Sequence, residues 1–186
     1  MDISEQKSLI REELLTQLRQ LSAGERAGLS EQLRSHLTSS PLWNQARKIL
    51  IFHPLRSEPD LAPLLDQPGR DLLLPRVTEH GLDAHRYLGT DSLRRSPFGM
   101  LEPDPERAPV TPIAEIDLAI VPALAFDVAT RIRLGRGGGF YDRLLAATDF
   151  RATTIGIGFG FQMRSSLPAE PHDRPVDRLL NEDGWI

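Results

Sequence analysis

The sequence contains no cysteine. That removes disulfides, thiolate nucleophiles and cysteine-ligated zinc, and it is compatible with a reducing compartment. Aromatic residues make up only 6% of the chain. No apolar run approaches the ~20 residues that span a bilayer, the longest lying at 118–126. A basic excess is missing too: 22 Lys and Arg stand against 26 Asp and Glu, for a net charge of −4, unlike the broad positive surface of a nucleic-acid-binding domain. The first residues include Glu5, Lys7, Arg11, Glu12 and Glu13, with no apolar stretch of the kind a secretory leader needs. The expectation is a cytoplasmic protein that uses small molecules, with no nucleic acid, membrane or partner protein in view. At 186 residues the whole chain, 1–186, reads as one domain, long enough to bury roughly 70% of its unfolded surface.

Periodicity then orders the chain. Ile10, Leu14, Leu18 and Leu21 predict an amphipathic helix over 4–21. Ser22 and Glu25 have capping-box spacing, and Leu29, Leu33 and Leu37 continue a second helix until Ser39, Ser40 and Pro41 end it. Short apolar runs at 49–52, 72–74, 118–121 and 154–157 have the character of strands buried on both faces. Helical patterns at 59–65 and 139–147 fall between them. The alternation predicts a three-layer α/β fold, Rossmann-like, with a largely parallel sheet and helices on both faces. Residues 96–112, with five prolines, read as a loop over the surface or across a cleft. His80 and His85 fall within a probable strand and read as structural.

The most informative segment, 131–145, reads RIRLGRGGGFYDRLL. Gly135, Gly137, Gly138 and Gly139 allow backbone to approach a ligand closely, and the helix that follows presents unpaired N–H groups. Arg131, Arg133, Arg136 and Arg143 gather positive charge around the same turn in an acidic chain. A phosphate chain is the natural guest, although a plain strand-to-helix turn with solvated arginines has the same composition. Neither standard nucleotide pattern fits. The P-loop needs Gly-Lys followed by Ser or Thr, and the dinucleotide fingerprint needs a third glycine where Phe140 stands.

In order and spacing this segment resembles the 5-formyltetrahydrofolate cyclo-ligases, also called 5,10-methenyltetrahydrofolate synthetases. Their signature is Phe-Asp, a short spacer, Arg-Leu-Gly-x-Gly-x-Gly, an aromatic pair and Asp. Here it is Phe126-Asp127, then Arg133-Leu134-Gly135-Arg136-Gly137-Gly138-Gly139-Phe140-Tyr141-Asp142. Lys7, Arg11, Glu58, the loop Phe98-Gly99-Met100-Leu101-Glu102-Pro103, and His172-Asp173 before Asp177 follow in the family's order. Two departures stand out. The spacer between Asp127 and Arg133 is one residue longer than usual and lacks the glycine common there, and Phe140 replaces a frequent tyrosine.

Lys7 and Arg11 project onto the stripe of Ile10, Leu14 and Leu18, where cations need an anionic partner unless they snorkel out over the helix end. The resemblance implies that they contact ATP, with 133–141 forming the rest of that site and Arg133 and Arg136 supplying catalytic charge. It implies folate binding by His53, Glu58, Phe98, Arg136, the three glycines at 137–139 and Phe140. Glu58 reads equally well as a helix cap, and Phe98 as a hydrophobic anchor. Asp142 and Asp173 match the family's magnesium positions, with helix-dipole stabilisation and a surface turn as their alternatives. The implied reaction is ATP- and Mg²⁺-dependent cyclisation of 5-formyltetrahydrofolate to 5,10-methenyltetrahydrofolate. A non-catalytic nucleotide- or folate-binding module on the same fold is the alternative.

Overall fold

A computed structural model describes residues 2–96 and 100–186. Helix α1 (Ile3–Gln20) starts at a capping box formed by Asp2 and Glu5. Helix α2 (Ala23–Thr38) starts at the Ser22–Glu25 box read from the sequence, and the short α3 (Pro41–Gln45) is capped by Ser40 with Pro41 in its first turn. The strands are β1 (Lys48–Leu50), β2 (Asp71–Thr78), β3 (Gly81–Arg86), β4 (Leu93–Arg95), β5 (Leu101–Pro103), β6 (Val110–Thr111), β7 (Leu118–Pro122), β8 (Ala125–Asp127), β9 (Arg133–Leu134), β10 (Thr153–Ile157), β11 (Met163–Arg164), β12 (Arg178–Asn181) and β13 (Gly184–Trp185). Between β9 and β10 lies α4 (Phe140–Ala146), preceded by Gly139 in the left-handed conformation.

Eight strands form the main sheet in the order β13-β12-β10-β7-β1-β2-β3-β6, and β8 lies between β11 and β9 in a small second sheet. Strands β12, β10, β7, β1 and β2 are parallel neighbours, while β13, β3 and β6 pair antiparallel at the edges. Side chains alternate across this sheet. Ile49, Leu118, Ile120 and Ile155 pack with Leu33 and Leu37 of α2 and Trp43 of α3, whereas Leu50, Ala119, Val121 and Leu179 pack on the other face with Phe126 and Leu144 of α4. Both faces are covered, so the runs are continuously apolar. On the Phe126 side the approach is close enough to demand glycine: a Cβ on Gly156 would lie 2.4 Å from the Phe126 ring. Helix α1 sits on the small sheet, with Leu14 and Leu18 against Leu124, Ala125, Leu134 and Phe159. No helix among the described residues is long and apolar enough to cross a membrane.

Three expectations change. Residues 59–65 form a single 3₁₀ turn at Ala62–Leu64, because Pro63 lacks the N–H that a continuing helix would need. The proline-rich 96–112 contributes two strands, β5 paired with β4 and β6 at the sheet edge; Pro103 ends its strand, where a missing donor is tolerated. His80 lies in the tight turn between β2 and β3, and only His85 is in a strand, its Nδ1 2.8 Å from the Ala108 carbonyl oxygen.

The position of β1 sets the site. Its chain neighbour β2 lies on one side and β7 on the other, so the carboxyl ends of β1 and β7 open into the crevice of a topological switch point.

Candidate functional site

That crevice is a cleft of about 370 Å³. One wall is apolar, formed by Phe52, Leu55, Leu74, Pro75, Val77, Leu82, Met100 and Leu101; the other is the glycine turn with Arg133, Arg136, Phe140, Tyr141 and Asp142. His53, Glu58 and Glu102 place polar groups on the apolar side. One surface therefore accepts a flat, largely apolar ring system and the facing one offers cations to an anion.

The turn is built by its neighbours. Asp127 accepts N–H bonds from Ala129 and Thr130 through Oδ1 and from Leu167 through Oδ2, and those bonds hold its carboxylate below the usual range despite burial. Within the Asp127–Arg133 spacer, Arg131 has a φ of 60°, the one left-handed non-glycine conformation among the described residues. Arg131 thus occupies the conformation glycine commonly provides. Its side chain faces a separate open hollow with Arg151 and Arg178, away from the cleft, so the expected cluster of four arginines is reduced. Arg143 lies over the Phe140 ring, 4.9 Å from its centroid. Leu134 points into the core beside Leu124 and Phe159 and supports the turn by packing. Gly137 and Gly139, at φ 103° and 63°, need conformations that other residues rarely adopt.

Arg133 is deeply buried and donates from Nη1 to Asp142 Oδ1 at 3.0 Å. Burial pulls its pKa below the ordinary value, and Asp142 opposes that shift. Arg136 is more exposed; it donates to Ser57 Oγ at 2.6 Å, and its Nε lies 3.7 Å from Glu58. Glu58 is buried at 9% exposure. Burial raises its pKa above the carboxylate range, opposed by the Leu55 N–H bond to Oε2 and by Arg136. It caps no helix, since the next helical residues are the single 3₁₀ turn at Ala62–Leu64. The Glu58 loop is pinned by Arg26 of α2, which donates to the carbonyls of Glu58 and Leu55 at 2.7 and 3.2 Å. His53 is half-buried, and burial pulls its pKa below the ordinary imidazole value, opposed by the charge of Asp60.

The first helix reaches the turn. Arg11 Nε donates to the Gly135 carbonyl at 2.9 Å. Lys7 is buried, and its Nζ bonds Asp173 at 2.6 Å and Glu170 at 2.7 Å. Burial alone would lower the ammonium pKa, but these two carboxylates outweigh it and raise the value. The anion that a cation on this stripe requires is present within the protein, and neither cation snorkels away from it. Asp142 and Asp173 occupy one corner: Asp142 Oδ1 also accepts the N–H of Arg174, the residue after Asp173. Asp142 Oδ2 and Asp173 Oδ1 accept no hydrogen bond among the described residues. These two carboxylate oxygens, the second with His172 Nε2 3.9 Å away, suit a magnesium ion that also takes phosphate oxygens and water. No group of three or more His, Asp or Glu among the described residues would cage a metal without such help.

Phe98 lies outside the described residues. Sequence reading did not single out Glu102, Glu170, Ser57 or Arg26. Glu102 is a buried carboxylate on the cleft wall with Arg94 and Arg76 at 3.7 and 3.9 Å. Its position in the loop resembling the family's was the available signal. Glu170, in a proline-flanked loop, carried none.

A doubly covered, mostly parallel sheet with a cationic glycine turn facing an apolar crevice at its switch point defines an α/β enzyme of small-molecule substrates. The sequence profile of the 5-formyltetrahydrofolate cyclo-ligase family matches residues 3–182. A 5-formyltetrahydrofolate cyclo-ligase from Mycolicibacterium smegmatis is 35% identical over 182 residues, 94% of this chain and 92% of that protein. The namesake from Haemophilus influenzae is 29% identical, covering 91% and 96%. Among solved structures, the 5,10-methenyltetrahydrofolate synthetase of Aquifex aeolicus superposes with a TM-score of 0.84 at 33% identity, over 96% of this chain and 91% of that one. This chain belongs to the 5-formyltetrahydrofolate cyclo-ligase family.

Proposed function

We infer that this protein converts 5-formyltetrahydrofolate and ATP to 5,10-methenyltetrahydrofolate, ADP and phosphate. The observation that carries the reading is the facing of buried Glu58 and its apolar wall by the Arg133–Tyr141 turn inside one cleft. A formamide oxygen is a poor leaving group. It attacks the γ-phosphorus of ATP, the bond to ADP breaks, and ADP leaves with the electron pair. N10 then adds to the activated formyl carbon, the C–O bond breaks to release phosphate, and N10 gives up its proton. Such a sequence rests on positioning and charge stabilisation. Arg133 and Arg136 offset charge at the phosphates, Arg11 fixes the turn through Gly135, and Lys7 neutralises the Asp173 corner and is drawn toward phosphate when nucleotide enters. Gly137, Gly138 and Gly139 let phosphates approach the backbone. Glu58 accepts from the donor edge of the pterin, beside His53 and Phe140. Magnesium, held by Asp142 and Asp173 together with phosphate oxygens, would supply further charge neutralisation. The reading places the enzyme in the cytoplasm, acting on ATP and a reduced folate without a partner protein.

The test is an absorbance assay with purified protein. The methenyl chromophore is expected only when 5-formyltetrahydrofolate, ATP and Mg²⁺ are all present. ATP hydrolysis that ignores folate, or no chromophore at any enzyme concentration, overturns the reading.

A further inference from the structure

Two buried polar atoms at the cleft have no partner among the described residues: the hydroxyl oxygen of Tyr141 and Nε of Arg133. Both residues line the cleft, and the Arg133 guanidinium carbon lies 5.8 Å from the centre of the Tyr141 ring. Arg133 spends Nη1 on Asp142, and Nε is buried with nothing to donate to among the described residues. Folded proteins pair nearly all such atoms, and an orphan inside a ligand cleft calls for an explanation. Packing supplies none for the hydroxyl, since phenylalanine would fill the same volume, as Phe140 does one position earlier. Tyr141 also carries the one hydroxyl of this aromatic pair.

We propose that Tyr141 Oη and Arg133 Nε form a two-donor seat for a single oxygen of the phosphoryl group in transit from ATP to the folate. The proposal rests on the cyclo-ligase reading and adds a catalytic role for Tyr141 to it. Position favours that ligand. Arg133 belongs to the phosphate turn, while Glu58 lies near enough to act on Tyr141 through its charge, so the hydroxyl stands where the nucleotide and folate halves of the cleft meet. A tyrosine hydroxyl is both donor and acceptor and carries its proton at neutral pH, so it can donate to an anion. A formamide oxygen would gain little from this seat, because a donated hydrogen bond weakens a nucleophile. A non-bridging phosphoryl oxygen carries negative charge throughout and gains from both donors.

Tyr141→Phe separates this role from a structural one. Removing an unsatisfied buried hydroxyl leaves the melting temperature of the ligand-free protein unchanged or higher. Binding of magnesium, ADP and aluminium fluoride, which imitates the group in transit, should weaken roughly ten- to a hundredfold, as expected for a hydrogen bond to a charged group. Binding of magnesium and ADP alone should stay within about twofold, and kcat should fall as the mimic's affinity falls, with little change in the KM for ATP. Arg133→Lys keeps a cation for Asp142 but lacks Nε–H, and should show the same selective loss. Equal affinity of native and Tyr141→Phe protein for the mimic overturns the seat. So does a clear drop in ligand-free melting temperature, which would mean the hydroxyl has a structural partner. Should native protein lack cyclo-ligase turnover, the functional reading fails by itself, and the binding comparison still decides the seat.

Discussion

Lys7 Nζ lies 2.6 Å from Oδ2 of Asp173, a residue 166 positions further along the chain, with side-chain exposures of 7% and 8%. A pair this buried has a defined pH signature. The Asp173 pKa is held below its ordinary 3.8 by Lys7 and the Glu170 N–H, which together overcome desolvation. Its contribution is therefore present above that pH and is lost as pH falls through the folded value. The Lys7 pKa is raised above 10.5, so its contribution is complete below that pH and is lost as pH rises further.

Lys7→Gln should accordingly destabilise the protein by about 3–5 kcal/mol at pH 7, the usual cost of leaving a buried charge unpartnered, or roughly 6–20 °C in melting temperature. Melting curves from pH 3 to 11 should show a constant gap between native and variant protein in the neutral range. The gap should narrow below 3.8 and above 10.5. A gap that persists unchanged in acid would show that the two side chains are not paired.

Arg11 and Arg19 provide a comparison within one helix. Arg11 meets the Gly135 carbonyl, whereas Arg19 is exposed on the polar face. Arg11→Gln should raise the KM for ATP roughly tenfold to a hundredfold, the equivalent of a charge-assisted hydrogen bond, and alter the KM for folate far less. Arg19→Gln should leave both constants nearly unchanged. Equal effects of the two substitutions would reduce α1 to a packing element.

Glu58 should make folate binding pH-dependent. Its raised pKa means that the carboxylate protonates at a pH above 4.5 in the folded protein. The KM for 5-formyltetrahydrofolate should rise as pH falls through that value, and Glu58→Gln should weaken folate binding and flatten the dependence. The stability effect has the opposite sign to that of Asp173. A carboxylate with a raised folded pKa costs stability once pH exceeds its unfolded value, so Glu58→Gln should melt no lower than native protein at pH 7 and should lose that advantage near pH 4. A pH-independent folate constant would remove Glu58 from substrate recognition.

Arg131 holds φ 60° without being glycine. Arg131→Gly relieves about 1–2 kcal/mol of left-handed strain and returns ~0.5–1 kcal/mol in unfolded-chain entropy. A rise of about 1–4 °C in melting temperature is expected. Catalytic constants should not move, because the side chain lines the other hollow and not the cleft. A fall in melting temperature would mean that the arginine side chain stabilises the loop by more than its backbone costs.

What the sequence made legible follows from how local each signal is. The Ser22–Glu25 capping box, the doubly apolar strands and the 133–142 segment depend on neighbours in the chain, and they stand where periodicity and motif placed them. Strands β6 and β13, at the two edges, are only two residues long, too short for an alternating pattern to show, and β6 pairs with β3 across more than twenty intervening residues. The 59–65 segment is apolar enough for a helix, but one proline inside it limits it to a turn. At the site, Lys7 and Arg11 could be oriented by helical projection, whereas Lys7's carboxylate partners lie more than 160 positions away. Glu170 and Arg26 act through bonds that fix other residues, and no local pattern distinguishes such a residue from a solvated charge.

Because Lys7 closes on Glu170 and Asp173, that corner joins residues made more than 160 positions apart. Strands β1, β2 and β7 can pair while synthesis continues, but Lys7 waits without its carboxylates until residue 173 is free. A nascent chain can therefore hold most of its sheet and still lack this corner, and a nucleotide bound as proposed above would stabilise only a chain made through residue 173.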